Sequence, residues 1–214
     1  MNMCESYFTE TVLDFLINQI CAVWNSENYV ISLLVLNITE AFNCMLHECL
    51  MHVLKIKKMS ARLVIWIHIF MSEHFIIIML AETESEKFQM SAEMLQEFLL
   101  SSILYLFYIT ELLEICNSFQ DRFSANAFVN DIIFLIYRFF TEWNCCILEC
   151  AHDWYLKSVC RYEVIFVSDK YDLIHLSNKF NKFNMQIFIQ LDAVIKNSKT
   201  EVRILEIWID LQLK

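Results

Sequence analysis

The sequence predicts an α+β fold in one domain spanning residues 1–214, an antiparallel sheet carrying helices on one face. Three observations lead to this reading. Stretches with apolar residues at helical spacing alternate with short, nearly continuous runs of Val, Ile, Leu and Phe. Two of those runs, Phe123–Val129 and Ile132–Tyr137, flank a polar tip at Asn130-Asp131, the pattern of a hairpin. No linker, repeat or low-complexity tract divides the chain.

In chain order, Phe8–Trp24 carries Val12, Leu13, Leu16, Ile17, Ile20 and Val23 as a helical stripe and ends in the polar turn Asn25-Ser26-Glu27-Asn28. Tyr29–Leu36 is a buried strand by its almost unbroken apolar content. Leu46–Lys58 and Ala61–Met71 read as helices, the second with Leu63, Ile67 and Phe70 on one face. Phe75–Leu80 and Lys87–Ser91 are placed to pair across Glu82–Glu86, and Glu97–Glu114 is a long helix. After the central hairpin, Thr141–Val159 is a third amphipathic helix. From Glu163 onward, short strand-like runs alternate with turns at Ser168-Asp169, Asn178–Asn184 and Asn197-Ser198.

Composition adds a second theme. The chain has no Gly and no Pro, where ordinary usage gives about 15 and about 11. Loops use glycine for positive φ and proline for stiff turns, so a chain lacking both lost them by a process blind to structure. The chain is 57% hydrophobic and 20% charged, but its longest stretch without Asp, Glu, Lys, Arg or His is Phe98–Thr110. That is shorter than the ~18–20 residues a membrane helix needs, so no membrane is expected. The start, Met1-Asn2-Met3-Cys4-Glu5, has neither the basic region nor the cleavage site of a signal peptide, which implies an intracellular protein.

A net charge of −10 with 16 basic residues argues against tight grip on nucleic acid, which requires Lys and Arg to displace counterions. The local cluster Lys55, Lys57, Lys58 and Arg62 reads as a solvated helix end. Nine Cys and six His offer two zinc candidates: Cys44, His47, Cys49, His52 and Cys145, Cys146, Cys150, His152. Neither has the paired C-x-x-C spacing of a closed tetrahedral site, and no zinc is expected.

The tetrapeptide Phe128-Val129-Asn130-Asp131 has two readings. It is a plain turn, since Asn and Asp both tolerate the left-handed conformation, or it is a rigid tip presenting oxygen ligands to hard cations. Its neighbours favour the second. Upstream stands Leu36-Asn37-Ile38-Thr39-Glu40-Ala41-Phe42-Asn43, and between the two lies Glu93-Met94-Leu95-Gln96-Glu97-Phe98-Leu99-Leu100-Ser101-Ser102, followed by an apolar helix. Downstream are Lys170-Tyr171-Asp172-Leu173-Ile174-His175 and Val202–Asp210. In order, spacing and content, from about Thr9 to the end, this chain resembles the palm region of reverse transcriptases (RNA-directed DNA polymerases) from non-LTR retrotransposons of the fungal type.

The resemblance implies a polymerase-palm-like antiparallel sheet with packed helices, lacking most of the fingers and the thumb. It places the three catalytic carboxylate positions of the family at Asn37, Asn130 and Asp131, where two magnesium ions would align a primer hydroxyl with a nucleotide phosphate. It gives Phe42 the role of the aromatic beneath the nucleotide sugar, and Gln96 that of the glutamine near the nascent pair. It also implies an RNA template and a DNA primer as partners and, if expressed, a nuclear location.

The departures point to lost activity. Asparagines stand at two of the three carboxylate positions, leaving Asp131 as the one anionic magnesium ligand, and a neutral amide is a poor ligand for that ion. Glu93 and Glu97 stand where the family has glycine, Leu95, Leu99 and Ser102 where it has proline, and Phe98 where it has serine. Asn43, Glu40 and Glu206 depart in the same direction. Each is one C-to-T or G-to-A codon transition, the mark of repeat-induced point mutation. The sequence thus predicts a degenerate, inactive copy with weak or lost nucleic-acid binding. The alternative is a domesticated, non-catalytic palm serving as a protein-binding module.

Overall fold

A computed structural model of the chain describes residues 3–26, 29–39, 45–72, 75–80, 83–89, 99–117, 119, 121–128, 131–162, 165–177, 183–191, 194–204, 207–211 and 213. Helix α1 (Met3–Ser26) leads into strand β1 (Val30–Thr39), and the helix pair α2 (His47–Ile56) and α3 (Ala61–Ser72) follows. Four two-residue strands come next: β2 (Phe75–Ile76), β3 (Met79–Leu80), β4 (Thr83–Glu84) and β5 (Phe88–Gln89). The expected pairing of Phe75–Leu80 with Lys87–Ser91 is seen as β2 with β5, whereas β3 pairs with β4, which lies inside the segment read as the connection. Helix α4 (Leu99–Asn117) precedes the central hairpin of β6 (Phe123–Phe128) and β7 (Asp131–Arg138), and α5 spans Thr141–Val159. The remainder is β8 (Ile165–Phe166), a 3-10 turn at Ser168–Lys170, β9 (Asp172–Leu176), β10 (Phe188–Leu191), β11 (Val194–Lys199), β12 (Glu201–Ile204) and β13 (Ile207–Asp210).

The main sheet runs β10-β11-β9-β1-β7-β6, with β8 continuing the β9 side of β1. It is antiparallel except where β11 meets β9 in parallel register. The predicted α+β class, an antiparallel sheet with packed helices, holds. β1 lies at the centre, and its side chains from Val30 to Leu36 are all buried. A continuous apolar strand of this kind needs cover on both faces. On one face Leu34, Leu36, Phe134, Ile136 and Leu173 pack under α2, α3, α4 and α5. On the other, Ile31, Leu33, Val35, Ile133 and Ile174 pack under Leu13, Leu16, Ile20 and Val23 of α1 and under Val202, Ile204 and Ile209 of β12 and β13. The sheet is therefore covered on both sides, not on one as the sequence suggested.

Three further details differ from expectation. On α1, Ile17 points outward while the rest of the described stripe is buried. On α3 the core face is Val64, Ile67 and Met71, one residue round from the predicted Leu63, Ile67 and Phe70. Asn197 and Ser198 lie inside β11, where Ser198 pairs with Leu173, so the expected turn is a strand. The outer edge of β6 is closed by a side chain. Ala125 N donates to Asn117 Oδ1 at 2.8 Å and Asn117 Nδ2 donates back to Ala125 O at 3.4 Å. One amide thus satisfies a strand edge that would otherwise invite pairing.

Candidate functional site

Among the described residues, the first and third predicted carboxylate positions meet. Asn37, near the end of β1, lies opposite Asp131, the first residue of β7, in antiparallel register. Period-two alternation turns both side chains to the face shared by Val35 and Ile133. There Asn37 Nδ2 donates to Asp131 Oδ1 at 2.8 Å in a half-buried setting. The backbone beneath is fixed from both sides: Val167 N donates to Asn37 O at 3.1 Å, and Phe128 pairs with Asp131 across the hairpin. Asp131 is thus a strand residue, paired with Phe128 at the end of β6. Asn130, Phe42 and Gln96 lie outside the described residues, as do Glu40, Asn43 and 91–98.

One charged pair on this face was not among the predicted site residues. Asp172 on β9 sits opposite Val35, two residues along β1 from Asn37, and forms an ion pair with Lys199 at the end of β11. Lys199 is in parallel register with Ile174, which places it on the same face. The position of Asp172 at the head of an otherwise buried strand was the signal that could have drawn attention to it. The predicted basic cluster is partly spoken for, since Lys57 pairs with Glu114 of α4.

A second polar group lies on the opposite face, under α5. His175 sits opposite Ser32 in the β1–β9 register, and Ser32 Oγ lies 2.7 Å from His175 Nδ1. Asn144 Nδ2 donates to both Ser32 Oγ and Val30 O at 2.9 Å, while His175 Nε2 lies 3.3 Å from Ile187 O and 3.9 Å from Cys145 Sγ. A coherent proton order runs from Asn144 to Ser32, from Ser32 to His175 Nδ1, and from Nε2–H to Ile187 O. The serine, histidine and cysteine have the outward look of nucleophilic machinery. Their environment removes it. Burial pulls the His175 pKa down to about 4, against weaker upward pulls from Ile187 O and Glu142, and burial pushes the Cys145 thiol up to about 12. With all members buried, the group ties α5 to the sheet.

The second zinc candidate set does not assemble. Cys145 and His152 are buried on α5, whereas Cys146 and Cys150 are exposed. Of the first set, Cys44 lies outside the described residues, and His47 faces His68 of α3. Among the described residues no three His, Cys, Asp or Glu side chains converge on a metal position, and no helix is long and apolar enough to cross a membrane.

No protein-family model and no curated protein matches the chain. Solved structures do. Apo telomerase from Candida tropicalis superposes with a TM-score of 0.63 at 10% identity, covering 98% of this chain and 36% of that one. Telomerase from Candida tropicalis in complex with the TWJ fragment of telomeric RNA gives 0.61 at 12% identity, covering 98% and 32%. The corresponding Candida albicans complex gives 0.53 at 13%, covering 90% and 32%. At such identities the likeness concerns the fold, which is reverse-transcriptase-like. This chain spans about a third of the length of those telomerase chains.

Proposed function

We propose that this chain is a degenerate fragment of a non-LTR retrotransposon RNA-directed DNA polymerase, a nucleotidyltransferase palm without turnover. The observation that carries the reading is the Asn37–Asp131 hydrogen bond. In a reverse-transcriptase-like palm these two positions would offer converging carboxylates to a pair of magnesium ions. Here an amide N–H points at one oxygen of the Asp131 carboxylate. An N–H donor aimed at Oδ1 holds a lone pair that a cation would use, and Asn37 adds no negative charge. These residues do not fit two magnesium ions.

Local features of the backbone support an origin in directional mutation. Arg122 and Lys58 hold φ of 64° and 56°, the region that favours glycine. Gly to Arg is one G-to-A change and Gly to Lys is two. Leu46 and Phe140 occupy the N-cap positions of α2 and α5 without a side-chain cap. Serine is preferred there, and Ser to Leu or Phe is one C-to-T change. RNA-template and DNA-primer binding, inherited by resemblance, would be weak at a net charge of −10.

Primer extension tests the reading. No incorporation of labelled deoxynucleotide on an RNA template is expected at any magnesium concentration, and Asn37→Asp with Asn130→Asp is not expected to restore it. Incorporation by the unmodified chain above an Asp131→Ala control would sink the proposal. So would G+C-rich codons at the departing positions.

A further inference from the structure

Two histidines outside the predicted catalytic and nucleotide-binding positions stand together on the surface of the α2–α3 pair. His47 opens α2, three residues before buried Leu50, and His68 follows buried Ile67 on α3. Both backbones are therefore anchored to the core, so the two rings meet on a preformed support. His68 is held further by Ser72 Oγ, which donates to its carbonyl at 2.6 Å.

The geometry is specific. His47 Nε2 and His68 Nδ1 are 2.9 Å apart, with ring centroids 4.6 Å apart and planes inclined at 42°. A head-on N–H···N bond of that length between coaxial rings would set the centroids ~5.2 Å apart, since each nitrogen stands ~1.15 Å from its centroid. The shorter observed separation means the rings are canted away from a coaxial arrangement. Two imidazoles bound cis at ~90° to one ion, each at ~2.05 Å, have nitrogens ~2.9 Å and centroids ~4.5 Å apart; a tetrahedral angle would give ~3.4 and ~5.2 Å.

We propose that His47 Nε2 and His68 Nδ1 form a surface site for a divalent transition cation of tetragonal preference, Cu²⁺ or Ni²⁺, with water completing the coordination. Glu48, whose charge acts on His47, adds local negative potential. Hard Mg²⁺ is excluded because it selects oxygen ligands, and zinc is disfavoured by the cis angle.

The test is calorimetric titration of the full chain with CuCl₂, NiCl₂, ZnCl₂ and MgCl₂, with the exposed thiols of Cys146, Cys150 and Cys160 capped by iodoacetamide. One equivalent of metal is expected, in the order copper, nickel, zinc, with no magnesium heat. Changes even to outer-shell groups cost ~10–100-fold, so His47→Ala and His68→Ala should each weaken nickel binding at least ~10-fold, while His52→Ala leaves it unchanged. Copper EPR of the unmodified protein should report two coordinated nitrogens, a readout that does not depend on any variant folding. Zinc binding tighter than nickel, a nickel isotherm unchanged by His68→Ala, or fewer than two nitrogens would overturn the proposal.

Discussion

Asn37 and Asp131, 94 residues apart in sequence, are hydrogen-bond partners across one strand register, Nδ2 to Oδ1 at 2.8 Å. A hydrogen bond to an ionised group contributes ~1.5–3 kcal/mol, less where water reaches it as here. Asn37→Asp replaces that bond with two facing carboxylates. In magnesium-free neutral buffer the variant should lose about 1–2 kcal/mol, and added magnesium should return part of it, while the parent stays indifferent to the ion. Urea titrations with and without MgCl₂ decide this. Equal stability of variant and parent would show that the pair contributes nothing.

What the sequence made legible depended on how many physical signals agreed. Thr141–Val159 was readable to the residue, and β1 and the β6–β7 hairpin were readable from apolar runs around polar breaks. The face of α3 was not. Val64, Ile65, Trp66, Ile67, Ile69 and Phe70 make it apolar all round, so periodicity selects no unique stripe. Asn197-Ser198 was misread because local turn preference lost to pairing of β11 with β9, a contact that no nearby residue announces. Neither the α1 layer nor the Asn37–Asp131 contact follows from local pattern. The latter came only through resemblance, and Asp172 with Lys199 was missed even so.

Lys58 should be replaceable with profit. Lys58 N donates to Lys55 O and Met59 N to Leu54 O, both at 3.0 Å, the bonds of a Schellman ending, and Lys58 has φ 56°. A side chain in that region costs about 1 kcal/mol, which glycine avoids. Lys58→Gly should therefore raise the unfolding midpoint by roughly 2–4 °C in a chain of this size. A lowered midpoint would mean that the Lys58 side chain contributes more than its backbone strain.

Acid should destabilise the fold through His175. Its folded pKa of about 4 lies below the ordinary 6.5, so between those values the unfolded chain binds a proton that the folded chain refuses. The stability contribution is complete above about pH 6.5 and falls as pH drops toward 4, at most ~1.4 kcal/mol per unit. His175→Gln, which cannot titrate, should flatten that part of the stability profile even if its absolute stability is lower. An unchanged slope between pH 6.5 and 4 would remove His175 as the cause.

The outer side of α3 should drive self-association. Ile65, Trp66 and Ile69 are about half exposed, and Phe75, Ile77, Ile78, Met79, Leu80 and Phe88, in and between the short strands that follow, are also exposed. Apolar surface gathered in this way promotes association, the more so in a fold already carrying unfavourable turn residues. Ile65→Lys with Ile69→Glu leaves the buried Val64, Ile67 and Met71 face and the Trp66–Phe70 stack untouched. The pair should shift the protein from large species toward monomer in sedimentation, with stability altered by no more than ~0.5 kcal/mol per site. The parent should unfold broadly and with aggregation. If instead it stays monomeric when concentrated and melts sharply above ~60 °C, hot for a mesophilic domain, the exposed residues are harmless and the fold is better kept than its missing glycines imply.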